Sequence, residues 1–351
     1  MRRSYFALFA IMLIVLGAHA LFAKTYYVGS CKAGAYTSIQ AAVSAVPAGS
    51  IIQVCAGTYY EQIVISQALT LEAIPNGAPV TISANGVTLV PTASLAWSTV
   101  DALIQVNAGS VNITGITVDG AYACPINYAI GIFYSSGSSG TIKGVDAINQ
   151  GCQPYFSGMG IVVESDAMGA TTVTIENSYI AGNKAFGIFA MSYPPATLTI
   201  VVKNNYLTGN SWGIYPANFT TQGSVSNNFI ANGTTGVFAD AGGVVVAGNW
   251  ISNQTFAGID IEAPAVSVSS NQIFDSATGI YLSSLNSGGV TAKSNTITNS
   301  PVGIEFNCAT GNTVTANTIN AATTGLDRVP PAQFTGLNKL YNVGTTTTGC
   351  Q

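Results

Sequence analysis

The chain has 351 residues, of which 48% are hydrophobic and 7% are charged, and its formal net charge is −4. An ordinary globular domain carries roughly 25% charged residues, so hydroxyl, amide and glycine residues must supply most of this surface. The sequence has no basic patch, which argues against nucleic acid or an anionic membrane as a partner. Length alone would favour two domains, but a repeat architecture escapes that limit because it grows in one dimension.

Residues 1–23 are predicted to be a secretory signal peptide. Arg2 and Arg3 give a positive start, an apolar run extends from Phe6 to Leu16, and Ala18-His19-Ala20 supplies a cleavage site of small residues. This apolar run is shorter than the roughly 20 residues that a spanning helix needs. We therefore expect a secreted protein that has no membrane span and forms one domain over residues 24–351.

A short amphipathic helix is predicted within residues 36–48, where Ile39, Ala42, Val43 and Val46 fall on one face. The repeats downstream would leave an unpaired strand edge at their first coil, and a helix can cover such an edge. We assign residues 24–60 to an N-terminal cap and first strand. The repeat decays past Arg328, so residues 328–351 are predicted as a C-terminal cap.

One phrase recurs through the second half of the chain: an asparagine, an Ile or Leu, a polar turn, and a glycine followed by an aliphatic residue. The glycines recur at intervals of 21 to 26 residues, at Gly187, Gly213, Gly236, Gly258, Gly279, Gly303 and Gly325. Alternating segments such as Gly279–Leu282 indicate short strands with one buried face, and nothing between them has helical period. The pattern predicts an all-β fold, a single-stranded right-handed parallel β-helix (solenoid).

Two recurrent residues are predicted to be structural. Glycine is expected at a corner where a side chain would clash. Asparagine tolerates left-handed backbone angles at turns, and stacked copies can hydrogen-bond to one another along the axis. The expected ladder consists of Asn177, Asn205, Asn228, Asn249, Asn271, Asn295 and Asn317.

Six cysteines in an exported chain indicate disulfides, and zinc is disfavoured because the sequence has no C-x-x-C pair and its one histidine lies in the signal peptide. The coil register would place Cys124 beside Cys152. We also expect Cys31–Cys55 to tie the N-terminal cap to the first strand and Cys308–Cys350 to fix the tail. Sequence alone leaves the connectivity open.

The stretch from Tyr36 to Ile65 resembles the opening of pectin methylesterases and other proteins of the pectin-lyase-like superfamily. The shared features are a capping helix, Pro-x-Gly and the G-x-Y-x-E of Gly57, Tyr59 and Glu61, and the later coils are similar to the superfamily's right-handed β-helix repeat. The resemblance implies a sugar-handling scaffold, with Glu61 serving the first coils structurally. The catalytic motifs of the esterases, polygalacturonases and alginate epimerases are absent, and Arg328 is expected near the C-terminal cap, away from any lyase centre.

Register predicts two outward columns on one face, because the residue after each glycine points inward and the next points outward. The second positions after glycine are Phe133, Val162, Phe189, Tyr215, Phe238, Asp260, Tyr281, Glu305 and Asp327. The fourth positions are Ser135, Glu164, Met191, Ala217, Asp240, Glu262, Ser283 and Asn307. The face is therefore expected to carry an aromatic stripe that becomes acidic.

Two functional hypotheses follow. The first is a monomeric binder of extracellular polysaccharide, without catalysis or a required cofactor, in which exposed aromatics stack on sugars; these would be Phe189, Tyr215, Phe238 and Tyr281. The alternative is a polysaccharide hydrolase or lyase, with Asp240, Asp260, Glu262 and Glu305 as candidate catalytic carboxylates. An outward row of acids also fits a weak calcium site. In the purely structural interpretation, the aromatics stabilise the strand stack and the acids keep the surface soluble.

Overall fold

The computed structural model describes residues 23–121, 123–124, 127–135, 137–151, 157–166, 170–218, 220–283, 288–320, 322–330 and 337–350. These residues form a parallel β-solenoid, which confirms the predicted fold class. Its strands form one sheet of 12 and one of 23, and the pairings divide the larger sheet into two faces. Each coil thus contributes to three faces. The predicted signal peptide comprises residues 1–23, and all of it except residue 23 lies outside the described residues.

The first face is the 12-stranded sheet. Its strands are Thr25–Val28, Ser50–Val54, Leu69–Ala73, Ser110–Thr114, Ser139–Lys143, Ala170–Glu176, Thr197–Lys203, Thr221–Ser226, Val244–Ala247, Ser267–Ser269, Thr291–Lys293 and Thr313–Thr315. Neighbouring strands pair in parallel without a shift of register, as where Glu176 stands opposite Lys203. Equivalent sequence positions therefore become physical columns.

The second face follows after a tight turn in each coil. Its strands are Gly57–Tyr59, Val80–Ser83, Thr117–Asp119, Asp146–Ile148, Tyr179–Ala181, Tyr206–Thr208, the first part of Phe229–Ala239, the first part of Trp250–Ile261, Gln272–Phe274, Thr296–Thr298, Thr318–Asn320 and Lys339–Tyr341. The two long strands pass around the corner and continue into the third face.

The third face carries the predicted outward columns. Its strands are Ile63–Ile65, Ser98–Val106, Tyr128–Tyr134, Gly158–Ser165, Phe186–Ser192, Trp212–Ala217, the ends of Phe229–Ala239 and Trp250–Ile261, Thr278–Leu282, Val302–Glu305, Thr324–Val329 and Thr345–Gly349. One further strand, Thr92–Ser94, pairs antiparallel with Ser98–Val106 and forms a hairpin on this face. The segment predicted as the C-terminal cap thus contributes another coil to the solenoid, through Lys339–Tyr341 and Thr345–Gly349.

The core is a set of aliphatic columns enclosed by the three faces. Ile259, Ile280 and Ile304 stand opposite one another in successive coils and are fully buried. Each follows a recurrent glycine, as the alternation required. A Cβ on Gly258 would lie 2.5 Å from Ile273 Cγ2 and 2.7 Å from the Gly279 carbonyl oxygen, so only glycine fits this corner.

The asparagine ladder is present, with a correction at each end: Asn177 lies outside it, and Asn338, which was not predicted, extends it. Six links join Asn205, Asn228, Asn249, Asn271, Asn295, Asn317 and Asn338, each through an Nδ2–H donated to the next Oδ1 at 2.9–3.0 Å. The expectation for Asn177 was wrong, because Ser178 occupies that position and donates its backbone N–H to Asn205 Oδ1. Left-handed backbone angles occur at the residue before the ladder, as at Asn177 and Asn204, and not in the ladder asparagines.

The N-terminal helix spans Ile39–Ala45, within the predicted segment. Ser38 caps its start, and Val46 is extended because it precedes Pro47, which disfavours helical angles at that residue. Ile39, Ala42 and Val43 pack into the core. No helix among the described residues is long and apolar enough to cross a membrane.

Two of the expected disulfides are present, Cys31–Cys55 and Cys308–Cys350. The first joins the segments that follow the paired strands Thr25–Val28 and Ser50–Val54, on either side of the helix, and the second joins the last coil to the preceding ones. The pairing predicted for Cys124 with Cys152 lies outside the described residues, because Cys152 is not among them.

Candidate functional site

The structure brings the two predicted columns of the third face into register. Phe189 stands opposite Val162 on one side and Tyr215 on the other. Further along, Asp260 lies between Phe238 and Tyr281. The second column continues through Ala217 opposite Asp240. Because neighbouring coils are about 4.8 Å apart, side chains within a column are in contact distance.

The N-terminal half of this face is covered, which was not expected. Residues 92–97, here called the strap, fold back over the third face, and Trp97 packs on Phe186 and Phe189 with ring centroids 6.2 and 4.8 Å apart. The prediction that Phe189 offers an exposed sugar-stacking ring is therefore wrong, since its side chain is 4% exposed. Apolar side chains on a covered face form a second small core.

Glu164 fastens the strap to the solenoid. Its carboxylate accepts hydrogen bonds from Ser94 Oγ at 2.8 Å, from the Leu95 N–H at 2.7 Å and from the Ala96 N–H at 3.3 Å. The column predicted this carboxylate at the surface, but it is buried. Burial raises its pKa, and the hydrogen bonds from the strap oppose that shift only in part.

The open half of the face carries seven side chains, which we call the acidic-aromatic face: Tyr215, Phe238, Asp240, Asp260, Glu262, Tyr281 and Glu305. Its aromatic part begins with Tyr215 and Phe238, whose ring centroids are 4.5 Å apart. Tyr281 follows one coil beyond Asp260 and packs against Phe256 at 5.4 Å. Six of these seven side chains are partly exposed, so a ligand could contact both rings and carboxylates.

Asp260 is the exception, and its environment is the most unusual on this face. It is 6% exposed, and its Oδ1 has no hydrogen-bond partner. Burial raises its pKa to about 7, and the negative charges of Glu262 and then Asp240 add to the rise. Near neutral pH this carboxyl is therefore protonated in a large fraction of molecules and can donate a proton or a hydrogen bond.

The two neighbouring carboxyls are also perturbed. The pKa of Asp240 is raised by burial, although the Tyr215 hydroxyl donates a hydrogen bond to its Oδ2 at 3.4 Å. The pKa of Glu262 is raised by burial and by the charge of Asp240. Burial and the same carboxylates raise the pKa of Tyr215, so its hydroxyl stays a donor. Three carboxyls that share one site cannot all ionise freely.

The C-terminal end of the face contains a cation, Arg328, which lies in one of the last coils as expected and reaches one of the candidate carboxylates. Arg328 Nη1 lies 3.2 Å from Glu305 Oε1 and donates to Asn307 Oδ1 at 2.7 Å. Asn307 Nδ2 in turn donates to the Tyr281 hydroxyl at 2.6 Å. Among the four candidate catalytic carboxylates, Glu305 is thus the one in an ion pair. Acid–base chemistry by a carboxyl without an ion pair would therefore depend on the other three, Asp240, Asp260 and Glu262.

The sequence did not predict the strap or the ion pair between Arg328 and Glu305. The strap has neither a repeat nor a periodic pattern, so its position depends on contacts such as those with Glu164 and Phe189. A group of three or more His, Cys, Asp or Glu side chains suited to a metal ion does not occur within the described part of the chain.

A family model described as the right handed beta helix region matches residues 101–263 and 199–319, which together cover more than half of the chain. No curated protein matches the sequence significantly. The family match identifies the solenoid as right-handed, as the repeat predicted.

Solved structures of three proteins share the fold. A lacto-N-biosidase from Eubacterium ramulus superposes with a TM-score of 0.66 at 11% identity, over 92% of this chain and 68% of that one. The A-module of an Azotobacter vinelandii mannuronan C-5 epimerase gives 0.56 at 15% identity, over 88% and 92%. The Dettilon tailspike protein gives 0.56 at 15%, over 84% and 62%. At these identities the similarity establishes the fold alone.

Proposed function

We propose, from the premise that this chain belongs to the right-handed beta helix family, that it is an exported protein that binds extracellular polysaccharide through its acidic-aromatic face. The predicted signal peptide and the two disulfides support export, because disulfides form and persist in oxidising compartments. The binding itself is argued from the side chains of the third face.

The observation that carries the proposal is the in-register column Tyr215, Phe238, Asp260, Tyr281. Its three rings can stack on the apolar side of a sugar, and the partly exposed carboxyls of Asp240 and Glu262 beside it can accept hydrogen bonds from sugar hydroxyls. The column follows the solenoid axis. A linear polymer lying along that axis would meet rings and carboxyls on successive coils.

Charge favours a neutral ligand. Asp240 and Glu262 border the column with negative charge, and the one cation described at this face, Arg328, is paired with Glu305. A polyuronate would bring like charges to these carboxylates, whereas neutral sugar hydroxyls can donate to them. The names of the similar structures, a biosidase and a mannuronan epimerase, agree with a glycan as the general class of ligand.

The test is retention of the purified protein on neutral and uronate polysaccharides, compared with Phe238→Ala and Tyr281→Ala. Each substitution should weaken binding to a neutral glycan about tenfold, since one aromatic contact contributes about 1 kcal/mol or more. Tyr60→Ala, at an exposed aromatic outside this face, serves as the matched control and should bind as the parent does. Unchanged binding in both ring variants would refute the proposal.

A second function, hydrolysis of a glycosidic bond, is favoured by one observation: Asp260 is buried, lacks a partner at Oδ1 and has its pKa raised to about 7. Such a carboxyl can protonate the leaving oxygen while Asp240 or Glu262 acts as the second carboxylate on water or on the sugar. Release of reducing ends by the parent protein, lost in Asp260→Asn while binding is kept, would establish this function. Binding without release would leave the binding role alone.

A further inference from the structure

A second aromatic feature lies on the second face, away from the acidic-aromatic face. Five rings follow one another in chain order, which we call the aromatic ladder: Tyr179, Tyr206, Phe229, Trp250 and Phe274. Their successive ring centroids lie 5.6, 4.6, 6.5 and 4.5 Å apart, and successive ring planes differ by 30°, 9°, 14° and 28°. The first four rings occupy one column along the solenoid axis, and Phe274, in register with Ser252, lies two residues to the side.

Three rings of the ladder are exposed to solvent, and the other two, Phe229 and Phe274, are half-buried. Tyr179, Tyr206 and Trp250 are 42%, 44% and 43% exposed, whereas the rings of the third face are tilted against one another and largely buried or half-buried. A contiguous exposed row of large aromatic side chains is uncommon on a soluble surface and marks an interaction site. The sequence signal is simple, because an aromatic residue directly follows Ser178, Asn205, Asn228 and Asn249.

Between its two ends, the ladder is bordered by uncharged side chains. The other outward side chains on its strands are Ala181, Thr208, Ala231, Ser252 and Gln272. Beside them runs a row of amides, in which Asn253 Nδ2 donates to Asn232 Oδ1 at 3.2 Å and Asn232 Nδ2 donates to Thr208 Oγ1 at 3.0 Å. Carboxylates stand beyond the two ends of the ladder, at Asp146 and Asp275.

Charges on the adjoining corner are paired within the protein, where two lysines share one carboxylate and keep a net charge of +1. Lys203 Nζ lies 3.0 Å from Glu176 Oε2, and Lys143 Nζ lies 3.2 Å from Glu176 Oε1. An anionic partner would therefore find cations that already have a carboxylate partner. A neutral partner, in contrast, would meet rings, hydroxyls and amides and lose no ionic contact on binding.

We propose that the aromatic ladder is a second binding surface, for a neutral polysaccharide chain that lies along the solenoid axis. Parallel rings spaced at the coil repeat offer successive stacking positions for the apolar faces of sugar rings. The neighbouring amides and hydroxyls can exchange hydrogen bonds with sugar hydroxyls. The proposal does not depend on the acidic-aromatic face, because the two surfaces occupy different faces of the solenoid.

The shape of the ladder favours a linear polymer over a folded partner. A stable protein–protein interface buries roughly 1,200–2,000 Å² and needs a broad, closely packed apolar centre. The ladder is one side chain wide, and small polar residues border it directly. A second copy of this chain would bury only a narrow strip there, whereas a polysaccharide chain can use the full length.

The experiment measures binding of the full mature protein to a panel of neutral glycans (cellulose, xylan and starch) and to polygalacturonate, by affinity electrophoresis. The variants are Tyr206→Leu, Trp250→Leu and their combination, which keep apolar bulk on a strand but remove the flat rings. Tyr60→Leu, the same kind of change at an exposed ring that belongs to neither surface, is the matched control. Phe238→Ala reports separately on the acidic-aromatic face.

We expect the double variant to bind a neutral glycan at least tenfold more weakly than the parent, whereas the Tyr60→Leu control should bind as the parent does. Both single variants should remain folded. Trp250→Phe should keep most of the affinity, because a ring remains. Three results would overturn the inference: equal glycan binding in parent and double variant, a loss seen only in Phe238→Ala, or a parent dimer that the ladder variants dissociate.

Discussion

The carboxylate of Glu61 accepts a hydrogen bond from the backbone N–H of Ile39 at 2.8 Å, and its second oxygen accepts from the N–H of Gln40 at 2.9 Å. The first coil thus caps the N-terminus of the helix that covers it. In the same motif, the Tyr59 hydroxyl donates to the Cys55 carbonyl at 2.9 Å. The G-x-Y-x-E pattern is therefore a structural connection between cap and solenoid.

Replacing Glu61 by alanine should lower the free energy of unfolding by about 1–2 kcal/mol, since two backbone N–H groups at a helix start lose their acceptor. Urea denaturation followed by circular dichroism measures the change. Glu72→Ala is the matched control, because Glu72 accepts a side-chain hydrogen bond from Gln53 on the outer surface of the first face. Equal losses in the two variants would contradict a capping role.

The asparagine ladder should make a large contribution to stability. Asn249 is buried, donates to the Val225 carbonyl and to Asn271 Oδ1 at 2.9 Å, and accepts from Asn228. Asn249→Ala leaves several buried groups without partners and should cost about 3 kcal/mol or more of unfolding free energy.

Asn253, an exposed asparagine, provides the control for the Asn249 prediction. Asn253 lies four residues later in an exposed row of amides, so its replacement by alanine should cost no more than about 1 kcal/mol. Chemical denaturation of both variants measures the difference. Similar costs would show that the buried ladder has no special role.

Asp260 should make stability depend on pH. Its folded pKa of about 7 exceeds the value of about 4 in an unfolded chain, so the folded state binds more protons between these pH values. Stability is therefore lost as pH rises from about 4 to about 7 and levels off above that. Asp260→Asn cannot lose this proton, and its advantage over the parent should grow across the same window, to the order of a few kcal/mol.

Unfolding free energies of parent and Asp260→Asn between pH 4 and 8 measure that difference. Asp240 and Glu262 remain in both proteins and contribute to both curves, so the difference between the curves isolates Asp260. Curves that stay parallel over the whole range would show that this carboxyl titrates as it does in water.

The strap should depend on Glu164. Glu164→Ala removes the acceptor of Ser94, Leu95 and Ala96, so the strap should detach and expose Trp97. The measurement is a red shift of tryptophan emission together with faster proteolysis within residues 92–97. Glu176→Ala, which removes two ion pairs on the first face, is the control. Unchanged emission in Glu164→Ala would show that apolar packing alone holds the strap.

The repeat by itself determined the stacking of the chain. Coils of about 22 residues with alternating strands can bury their apolar residues only by winding around one axis, so equal positions must align. This is why the pairing of Asp260 with Tyr281 and the ladder from Asn205 to Asn317 followed from spacing. The prediction was wrong by one residue at Asn177, because the ladder position in that coil belongs to the next residue, Ser178.

Only the tertiary structure decided which parts of those columns a ligand can reach. Phe189 and Tyr281 have the same place in the repeat, yet Phe189 lies under Trp97 because a segment without periodicity is bound by Glu164 about 70 residues away in sequence. Arg328 reaches Glu305 through a side chain whose direction no spacing specifies. Periodicity fixes the position of each backbone site in the stack, but exposure and pairing depend on contacts between segments that share no period.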